Sequence, residues 1–501
     1  MIPVLSVENM RKSDSAAIAS GIPGRELMRL AGEGIFRAVQ WKGPAAVVCG
    51  SGNNAGDGYV VAALLREAGL ECTVFCVSDR FSEDGRYWAD RCLERGAIMR
   101  PWETGTDLSG FGTVVDCLFG TGFRGEVTGA AREAVEAINA SGAQVISADI
   151  NSGLNGDSGL GACCVKSDVT VAIGGFKPGH FLNMAKDVIG ARVNCDIGIA
   201  PVDTPYQLLE RQDVIPCFRP RRNYSNKGTY GYTALIGGSA RYSGAIRLAA
   251  IAAAAMRCGA GVVKAAVPAS LMHDVAPAIL ESTLFPLPDR DGEMRFDAET
   301  MRELTANVRT AAFGMGIGVT EEAGKALAWL MDNYHGTLIV DADGLTLLAR
   351  MERSRLREAA CSLVLTPHLK EFSRLTGMSM EEITRTPAES VRDYARETGA
   401  VVLLKGPATI VTDGTAVILT DAGCAGMATA GSGDVLSGIL AALCGWIPDR
   451  MTAAAAGAYI NGLAGEAAQR KMGSISMTAG DTARCIAETV RDLERDASVT
   501  V

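Results

Sequence analysis

Three Gly-rich turns in the first half of the chain carry polar side chains that could do chemistry. They are G-S-G-N-N-A-G-D-G at 50–58, D-C-L-F-G-T-G-F-R-G-E at 116–126 and D-I-N-S-G-L at 149–154. Each lies at the end of an apolar run that is typical of a buried strand. Ligands bind at the carboxyl ends of the strands in an open parallel sheet, so the three turns are predicted to share one site.

These turns offer hard oxygen donors. Asn54, Asp116 and Ser152 would supply an amide carbonyl, a carboxylate and a hydroxyl, and this set suits a hard cation whose identity the residues leave open. For any one turn, an ordinary tight turn with an Asx cap explains the residues equally well. Three consecutive strand ends that combine Gly with Asn or Asp favour a binding site.

A second group of candidate residues lies toward the end of the chain. T-A-G-S-G-D-V-L-S-G at 429–438 predicts a Gly-rich turn opening a helix, where free N–H groups and the helix dipole favour phosphate. Asp434 could take the proton of a substrate hydroxyl during phosphoryl transfer, or it could simply cap the helix. Lys405 and Gly406 follow a strand and would reach a phosphate, whereas His368 is equally well explained as a ligand contact or a capped loop residue.

Two parallel sheets are needed to position these residues. Buried apolar runs alternate with helical segments up to about residue 199, and the pattern restarts after a stretch at 199–226 that is rich in Pro, Arg and small polar residues. We therefore predict an α/β protein of two three-layer αβα domains, with domains at 1–205 and 226–501 and a linker at 206–225. Further predictions are strands at 262–267, 310–315, 337–341, 362–366 and 401–404 and an Ala-rich helix at 244–258. The strand ending in V-D-A-D (340–343) brings two carboxylates that are either structural or help to position the site.

Composition narrows the function classes. The net charge is −9 with no block of like charge, which argues against nucleic-acid binding. The 14 Cys include no C-x-x-C and only four His are present, so we expect no zinc site and expect the cysteines to be free thiols. The N-terminus lacks a signal-peptide pattern and the apolar run at 248–256 is too short to span a membrane, so the cytoplasm is the expected location.

The motifs of residues 1–200 resemble the NAD(P)H-hydrate epimerase family, also called the YjeF N-terminal domain. The family pattern G-I-P-x-x-x-L-M-x-x-A-G, G-N-N-x-G-D-G, D-x-L-F-G-T-G and D-I-P-S-G is matched in order by residues 21–32 and the three turns. The resemblance implies a Rossmann-like fold, potassium held by Asn54, Asp116 and Ser152, and Asp149 as a catalytic proton carrier. It implies that the hydrated nicotinamide nucleotide contacts Asn53, Asn54, Ala55, Gly56, Asp57, Gly120, Thr121, Gly122, Phe123, Arg124, Gly125, Glu126 and Asp149.

Two residues depart from that family pattern. Ala55 replaces a common Gly and would crowd the phosphate loop if the position required a positive φ. Asn151 replaces the Pro of D-I-P-S-G, which removes a rigid turn but tolerates unusual backbone angles. Neither change removes a predicted ligand, although together they could reduce epimerase activity.

The second half, from about 225 to 490, resembles the ADP/ATP-dependent NAD(P)H-hydrate dehydratases, a branch of the ribokinase-like fold. The ordered series includes G-A-G-V-V (259–263), G-M-G-I-G (314–318), T-P-H (366–368), K-G-x-x-T (405–409) and G-S-G-D-V-L-S-G (431–438). The resemblance implies Mg²⁺, ADP or ATP as phosphoryl donor, with ADP favoured, and Asp434 as the catalytic base. It implies that the hydrate contacts Gly316 or Gly318, His368 and Asp434, and that the adenine nucleotide contacts Lys405, Gly406, Pro407, Ala408, Thr409 and Gly433. Met315 for a common Pro, and Leu369-Lys370 for Pro-Gly, are expected to alter loop rigidity more than chemistry.

Together the two resemblances imply an enzyme that epimerises the R and S forms of hydrated NADH or NADPH and dehydrates the S form at the expense of ADP or ATP. Expected partners are these small molecules, with no nucleic acid or membrane, and a homo-oligomer packed through Ala-rich helices such as 452–468. One alternative is that the second half is a ribokinase-like small-molecule kinase. Another is that the first half is a non-catalytic binding module, although polar residues retained at three strand ends argue against it.

Overall fold

The computed structural model describes residues 1–218, 220–251 and 256–499. They divide into two compact units, Pro3–Tyr206 and the chain from Gln207 onward together with Met1–Ile2. Much of the predicted linker 206–225 is instead built into the second unit, because Leu209, Val214 and Phe218 are buried in its core. Apolar side chains at these positions explain why this stretch does not behave as a linker.

The first unit contains a parallel sheet buried on both faces. Alternate residues of one central strand enter separate cores, Val47 and Cys49 on one face and Ala46 and Val48 on the other. All pairings are parallel, in the order Ile98–Pro101, Cys72–Cys76, Ala45–Cys49, Thr113–Cys117, Gln144–Ala148, Ser167–Ile173, Ile189–Cys195. The helices are Val7–Ala19, Gly24–Ala38, Asn53–Glu67, Glu83–Glu94, Gly129–Ala140 and Ala185–Val188, with a 3-10 turn at Pro178–His180 and a short strand at Ile2–Val4.

Strand order reverses in the middle of this sheet. From Ala45–Cys49 the chain first builds outward through Cys72–Cys76, then returns to add Thr113–Cys117 on the other side. The crevice beyond the carboxyl ends of these two neighbouring central strands is where open α/β sheets bind ligands. Two of the three predicted Gly-rich turns therefore border one crevice.

The second unit has a larger sheet that is parallel except for its last hairpins. Its strands run in the order Tyr206–Leu208, Val417–Thr420, Thr409–Thr412, Val401–Leu404, Ser362–Leu365, Thr337–Val340, Val308–Phe313, Tyr232–Ile236, Val262–Pro268, Thr283–Leu287. A separate small hairpin pairs Asp289–Arg290 with Glu293–Met294. The α-helices are Arg211–Val214, Ser243–Ala250, Met272–Val275, Ala298–Thr305, Glu321–Asn333, Asp343–Leu348, Ser354–Arg357, Leu369–Thr376, Met380–Arg385, Pro387–Thr398, Ser432–Leu443, Arg450–Met472 and Ala479–Val499. The 3-10 turns are Ile215–Cys217, Lys227–Tyr230, Met256–Cys258, Ala269–Leu271, Ala276–Ala278 and Ala425–Met427.

These elements confirm the predicted α/β fold class. The predicted strand 401–404 has the observed bounds, Val401–Leu404. The predicted helix 244–258 begins at Ser243 and continues to Ala250, and its part at 252–255 lies outside the described residues. The Ala-rich helix Arg450–Met472 buries most of its alanines within its own unit, so those side chains are not a free surface for a partner. Over the described ranges, no helix combines the length and apolar character that crossing a membrane requires.

Candidate active sites

A cavity of about 550 Å³ opens at the strand-order reversal of the first sheet. The predicted substrate-binding residues that line it are Asn53, Asn54, Asp57, Gly120, Thr121, Gly122, Phe123 and Asp149. Five others are not part of its wall: Ala55 and Gly56 are buried within the helix, and Arg124, Gly125 and Glu126 are exposed beyond it. The cavity wall also includes residues that the sequence analysis did not single out, among them Arg11, Asp14 and Lys177.

Asp116 and Ser152 form one buried hydrogen-bonded group beneath this cavity. The Ser152 hydroxyl donates to Asp116 Oδ1 at 2.5 Å, and the Ser152 amide and the Ser147 hydroxyl each donate to Oδ2 at 2.9 Å. Burial raises the pKa of Asp116, and the Ser152 hydrogen bonds oppose that rise only in part. A buried carboxylate without a cationic neighbour at hydrogen-bond distance favours a bound cation.

Asn54 completes the oxygen set that was predicted for potassium. The residue is 7% exposed, and neither Oδ1 nor Nδ2 has a hydrogen-bond partner within the described part of the chain. A buried amide oxygen without a partner is costly, and a cation would satisfy it. The donor set of Asn54, Asp116 and Ser152 therefore fits a hard cation. No group of three or more His, Cys, Asp or Glu among the described residues could hold a metal ion.

Asp149 lies at the cavity in an unusual backbone conformation. Its φ of +65° is uncommon for a residue other than Gly, and the His180 ring at 2.7 Å from its carbonyl oxygen helps to hold it there. Burial lowers the pKa of His180 to about 4, so the ring is neutral and can donate from Nε2 while Nδ1 accepts from the Lys177 amide.

Lys177 forms a buried ion pair with Asp149. Its Nζ is 2.6 Å from Asp149 Oδ1 and also donates to the Ile173 carbonyl at 2.8 Å, and the side chain is 1% exposed. Burial alone would raise the pKa of Asp149, but the charge and hydrogen bond of Lys177 outweigh it and hold that pKa below its ordinary value. Asp149 is thus kept ionised at the wall of the cavity.

Two other carboxyl groups of this cavity behave in the opposite way. Burial, reinforced by the Asp149 charge, raises the pKa of Asp57 well above its ordinary value. Burial likewise raises the pKa of Asp14, although Lys177 opposes the shift. One lysine therefore selects a single member of a group of three nearby carboxyls for the ionised state.

The two departures from the family pattern cause no strain at the site. Ala55 lies inside the helix Asn53–Glu67 and has no positive φ, so the predicted crowding does not arise. Asn151 is fully buried away from the cavity wall. Its Nδ2 donates to the Val165 carbonyl, the Ser167 hydroxyl and the Val188 carbonyl, and its Oδ1 accepts from the Thr170 hydroxyl. Hydrogen bonds thus fix the turn that a proline would otherwise make rigid.

The second group of predicted residues converges at the start of helix Ser432–Leu443. Lys405 Nζ donates to Asp341 Oδ1 at 2.8 Å, and Ser437 of the helix donates to Asp341 Oδ2 at 2.8 Å. A Cβ added to Gly433 would lie 3.3 Å from Lys405 Nζ and 3.5 Å from Asp341 Oδ2. Gly433 therefore allows the helix start to approach the ion pair closely.

Asp434 follows in the same first turn and has no ion pair within 4 Å among the described residues. Burial, with the Asp341 charge as the next cause, raises the pKa of Asp434 to about 7, and Lys405 opposes the rise. Burial would also raise the pKa of Asp341, but Lys405 holds it below its ordinary value. A carboxyl group that titrates near neutrality suits a proton acceptor.

The remaining predicted residues of this site lie on adjoining turns. His368 caps helix Leu369–Thr376, its Nδ1 accepting from the amides of Lys370 and Glu371, and its side chain is 51% exposed. The capped-loop explanation is therefore observed, and the exposed ring is still able to contact a ligand. The Lys405 amide donates to the Pro367 carbonyl at 2.9 Å and so joins the two turns. In the turn after Lys405, Gly406 and Pro407 are exposed, Thr409 is half-buried and Ala408 is buried.

Positive φ values mark the glycine loop and the residue between the two carboxylates beside it. Gly316 and Gly318 have φ values of +65° and +86°, and the Gly318 amide donates to Asp343 Oδ2 at 2.9 Å. A Cβ on Gly316 would lie 2.7 Å from the Tyr242 carbonyl oxygen, so this position requires Gly. Ala342, between Asp341 and Asp343, has φ +50° and ψ −119°, which is strained for a residue with a Cβ.

Lys177 and Glu371 are the clearest omissions of the sequence analysis. Lys177 stands in F-K-P-G-H just after the strand Ser167–Ile173, so a fourth strand end was a usable signal. Glu371, whose pKa burial raises, lies 3.9 Å from Lys405. Its spacing three residues after His368 was the signal of a capping box.

Cavity volume alone does not locate the chemistry. A larger cavity of about 740 Å³ in the second unit contains none of the predicted site residues. Two of its polar side chains bond to backbone carbonyls of its own wall, since Arg221 donates to the Gly259 carbonyl at 2.8 Å and Trp446 Nε1 to the Cys258 carbonyl at 3.0 Å.

Comparison with known families matches both halves. A family model described as YjeF-related protein N-terminus covers residues 24–179, and one described as NAD(P)H-hydrate dehydratase covers residues 233–488. The chain is 35% identical to the bifunctional NAD(P)H-hydrate repair enzyme Nnr of Thermofilum pendens over 96% of its own length and 94% of that protein. It is 32% identical to the protein of the same name from Escherichia coli, over 95% and 91% of the two chains.

Solved structures resemble the second half. The ADP/ATP-dependent NAD(P)H-hydrate dehydratase from Bacillus subtilis, co-crystallised with ATP and Mg²⁺, is 25% identical and covers 57% of this chain and 98% of its own, with a TM-score of 0.50. A ribokinase-like superfamily protein from Enterococcus faecalis is 20% identical, covers 59% of this chain and 98% of its own, and has the same TM-score of 0.50, which supports the fold alone.

Proposed function

Because the chain belongs to the family of bifunctional NAD(P)H-hydrate repair enzymes, we propose that its first unit epimerises hydrated NADH or NADPH and its second unit dehydrates the S form. The observation that carries the proposal is that each unit gathers its motif residues at one group of strand ends. A carboxyl group of distinct pKa lies at each: Asp149 is held ionised and Asp434 titrates near neutrality.

In the first unit, Asp149 is the proton carrier. The hydrate has a hydroxyl group on the carbon next to the ring nitrogen, and the lone pair of that nitrogen can expel the oxygen as water when solvent supplies a proton to it. The oxygen can then return to either face. Lys177 keeps Asp149 ionised and oriented at 2.6 Å, so the carboxylate can accept the proton of the incoming water.

Asn54, Asp116 and Ser152 would hold the potassium ion of this unit. The unpartnered Oδ1 of Asn54 and the buried Asp116 carboxylate support this assignment. When bound, K⁺ supplies a fixed positive charge that offsets a buried carboxylate. Asn53, Asn54, Asp57, Gly120–Phe123 and Asp149 bind the hydrate, and we retain Ala55, Gly56 and Arg124–Glu126 only as backbone neighbours of that surface.

In the second unit, Asp434 accepts the proton of the substrate hydroxyl as that oxygen attacks the terminal phosphoryl group of ADP or ATP. AMP or ADP leaves as the phosphoryl group is transferred. The phosphorylated hydrate then loses phosphate, pushed by the lone pair of the ring nitrogen, and loss of a proton from the neighbouring ring carbon restores the reduced nicotinamide. The free amides at the start of helix Ser432–Leu443, with Lys405, would bind phosphate. Gly316, Gly318 and His368 would contact the hydrate, and Gly406, Pro407, Ala408, Thr409 and Gly433 the adenine nucleotide.

Mg²⁺ would enter this site with the nucleotide. Mg²⁺ commonly binds through substrate phosphates and one or two carboxylates, and it neutralises phosphate charge when bound. Over the residues that the structure describes, no group of three or more His, Cys, Asp or Glu would hold a metal ion by itself. We favour ADP as the donor by resemblance, and we retain a cytoplasmic location and a homo-oligomer as predictions.

Incubation of the full chain with the separated R and S hydrates of NADH, with and without ADP or ATP, tests the proposal. We expect interconversion of the epimers without nucleotide, and with nucleotide a return of reduced-nicotinamide absorbance with release of phosphate. Accumulation of a phosphorylated product would instead support the kinase alternative. A second unit that repairs only the S form, with no exchange of epimers, would support a non-catalytic first unit.

A further inference from the structure

The N-terminal helix Val7–Ala19 contributes one face to the first cavity. Met10, Arg11, Asp14 and Ile18 line it, and their spacing places them on the same side of the helix. The neighbouring Lys12 is absent from that lining and pairs with Glu8 at 2.6 Å on the exposed surface. The helix therefore has one basic residue at the cavity, Arg11, and a neighbouring basic residue outside the cavity wall, Lys12, which can serve as a control.

The cavity offers few cationic side chains to a dinucleotide. Its wall contains four carboxyl groups, on Asp14, Asp57, Asp84 and Asp149, and two cationic side chains, on Arg11 and Lys177. Lys177 is committed to Asp149 at 2.6 Å. Arg11, by contrast, is exposed and has no ion pair or hydrogen bond among the described residues. A pyrophosphate that enters this cavity therefore finds one available guanidinium group.

The loop at 120–123 connects Arg11 to the reacting end of the cavity. A Cβ added to Gly122 would lie 3.4 Å from Arg11 Nη2, and one added to Gly120 would lie 3.2 Å from Asp149 Oδ2. Gly120 and Gly122 are two residues apart, and two residues of extended chain span at most about 7 Å, so the two contacts lie close together along the loop. A ring at Asp149 would thus place its phosphate toward Arg11.

We propose that Arg11 binds the pyrophosphate of the hydrated dinucleotide, so that the N-terminal helix is part of the substrate site of the first unit. The planar guanidinium can donate two parallel hydrogen bonds to phosphate oxygens, and it lies against the loop whose other end reaches Asp149. This inference rests on the proposed epimerase function and adds a binding residue that the sequence motifs do not include.

Steady-state epimerisation by the full-length Arg11→Gln, Arg11→Lys and Lys12→Gln variants tests the inference. Because the pyrophosphate does not react, losing its contact should weaken ground state and transition state equally. We expect Arg11→Gln to raise KM for hydrated NADH about ten-fold with kcat within about two-fold, Arg11→Lys to give an intermediate KM, and Lys12→Gln to match wild type. The KM of wild type should also rise more steeply with ionic strength than that of Arg11→Gln.

Several outcomes separate the possibilities. A KM for Arg11→Gln within about two-fold of wild type, or a fall in kcat at unchanged KM, would overturn the role of Arg11. An effect confined to hydrated NADPH would overturn the pyrophosphate assignment, since it would point to the additional ribose phosphate. Dehydration by the second unit should be unchanged in every variant and reports that the chain is intact. A wild type that fails to exchange the epimers would overturn the proposed function itself, and this inference with it.

Discussion

Both units contain a buried Asp–Lys ion pair, but they use it differently. In the first unit Lys177 pairs with Asp149, the candidate catalytic residue itself, at 2.6 Å. In the second, Lys405 pairs with Asp341 at 2.8 Å, and Asp434 is left beside that pair. The pKa of Asp149 is consequently below its ordinary value, whereas burial and the Asp341 charge raise the pKa of Asp434 to about 7.

The difference shows that the position of the lysine selects the chemistry of the aspartate. A carboxylate that is always ionised suits repeated proton exchange with water on either face of a ring. A carboxyl group poised near neutrality accepts a proton from an alcohol more effectively. On the proposed mechanism the same two residue types thus serve two reactions. Lys177 pairs with the proposed catalytic aspartate itself, whereas Lys405 pairs with Asp341, the neighbour of the proposed catalytic aspartate.

The sharpest way to test the comparison is to remove each carboxylate in turn. We expect Asp434→Asn to lower nucleotide-dependent dehydration by about 10³-fold, in the range typical of a lost general base, with epimerisation unchanged. Asp149→Asn should lower epimerisation and leave dehydration unchanged. Asn is the suitable replacement because it tolerates the φ of +65°. The rates of epimerisation and dehydration are measured on each variant. A substitution that slowed both reactions would contradict the assignment of one carboxylate to each reaction.

Removing the lysine of the first pair should have the next largest effect. In Lys177→Met, only His180 and the Thr121 amide would still oppose the effect of burial on the pKa of Asp149, and the protonated carboxyl would be inactive at neutral pH. We expect epimerisation to fall about 10²-fold and to recover in part at alkaline pH. A double variant with Asp149→Asn should be no slower than Asp149→Asn alone, and an additive loss would show that Lys177 acts independently of Asp149.

The two reactions should also differ in how their rates depend on pH, although the expected change in rate is smaller than in the variants above. Asp434 must be ionised to accept a proton, so kcat/KM for dehydration should fall as pH decreases through about 7. Epimerisation should show no such fall there, since the pKa of Asp149 lies below its ordinary value. Asp341→Asn removes the negative charge that raises the pKa of Asp434, so the fall in kcat/KM for dehydration should move to lower pH. If the fall in kcat/KM occurred at the same pH in this variant, Asp434 would be excluded as the titrating group.

The smallest expected effect concerns strain. At the candidate site of the first unit Asp149 has a positive φ, while at that of the second unit Ala342, next to Asp341, has one. Ala342→Gly should raise the free energy of unfolding of the second unit by roughly 1 kcal/mol, because Gly adopts φ +50° without a Cβ penalty. Ala326→Gly, inside helix Glu321–Asn333, should lower it by a similar amount and is the control in denaturant titrations. Equal losses in the two variants would show that Ala342 is not strained.

Much of this arrangement could be predicted from local sequence. Apolar runs bounded by Gly-rich turns predicted the strand 401–404 with its observed bounds, and strand ends correctly indicated Asn54 and Asp149 at one cavity. What could not be predicted depends on pairing through space. Lys405 and Asp341 are 64 positions apart, and nothing near either residue shows that they bond.

Turns were harder to predict than strands for a related reason. The motif at 120–126 continues past the cavity, but its last three residues are exposed because the chain turns outward at Gly125, with φ +97°. Sequence letters do not show where a loop leaves a surface. The same limit applied to Phe218, whose burial in the second core is a tertiary contact of a segment that resembles a linker.

The buried hydrogen bonds of Asn151 have a consequence for anyone who would redesign this chain toward the average of its relatives. Restoring the family's proline would leave the Val165 and Val188 carbonyls without the Asn151 donor and would remove one of the two partners of the Thr170 hydroxyl, the other being Ser167. A substitution that looks like a return to consensus should therefore lower the melting temperature, which thermal unfolding of Asn151→Pro would measure.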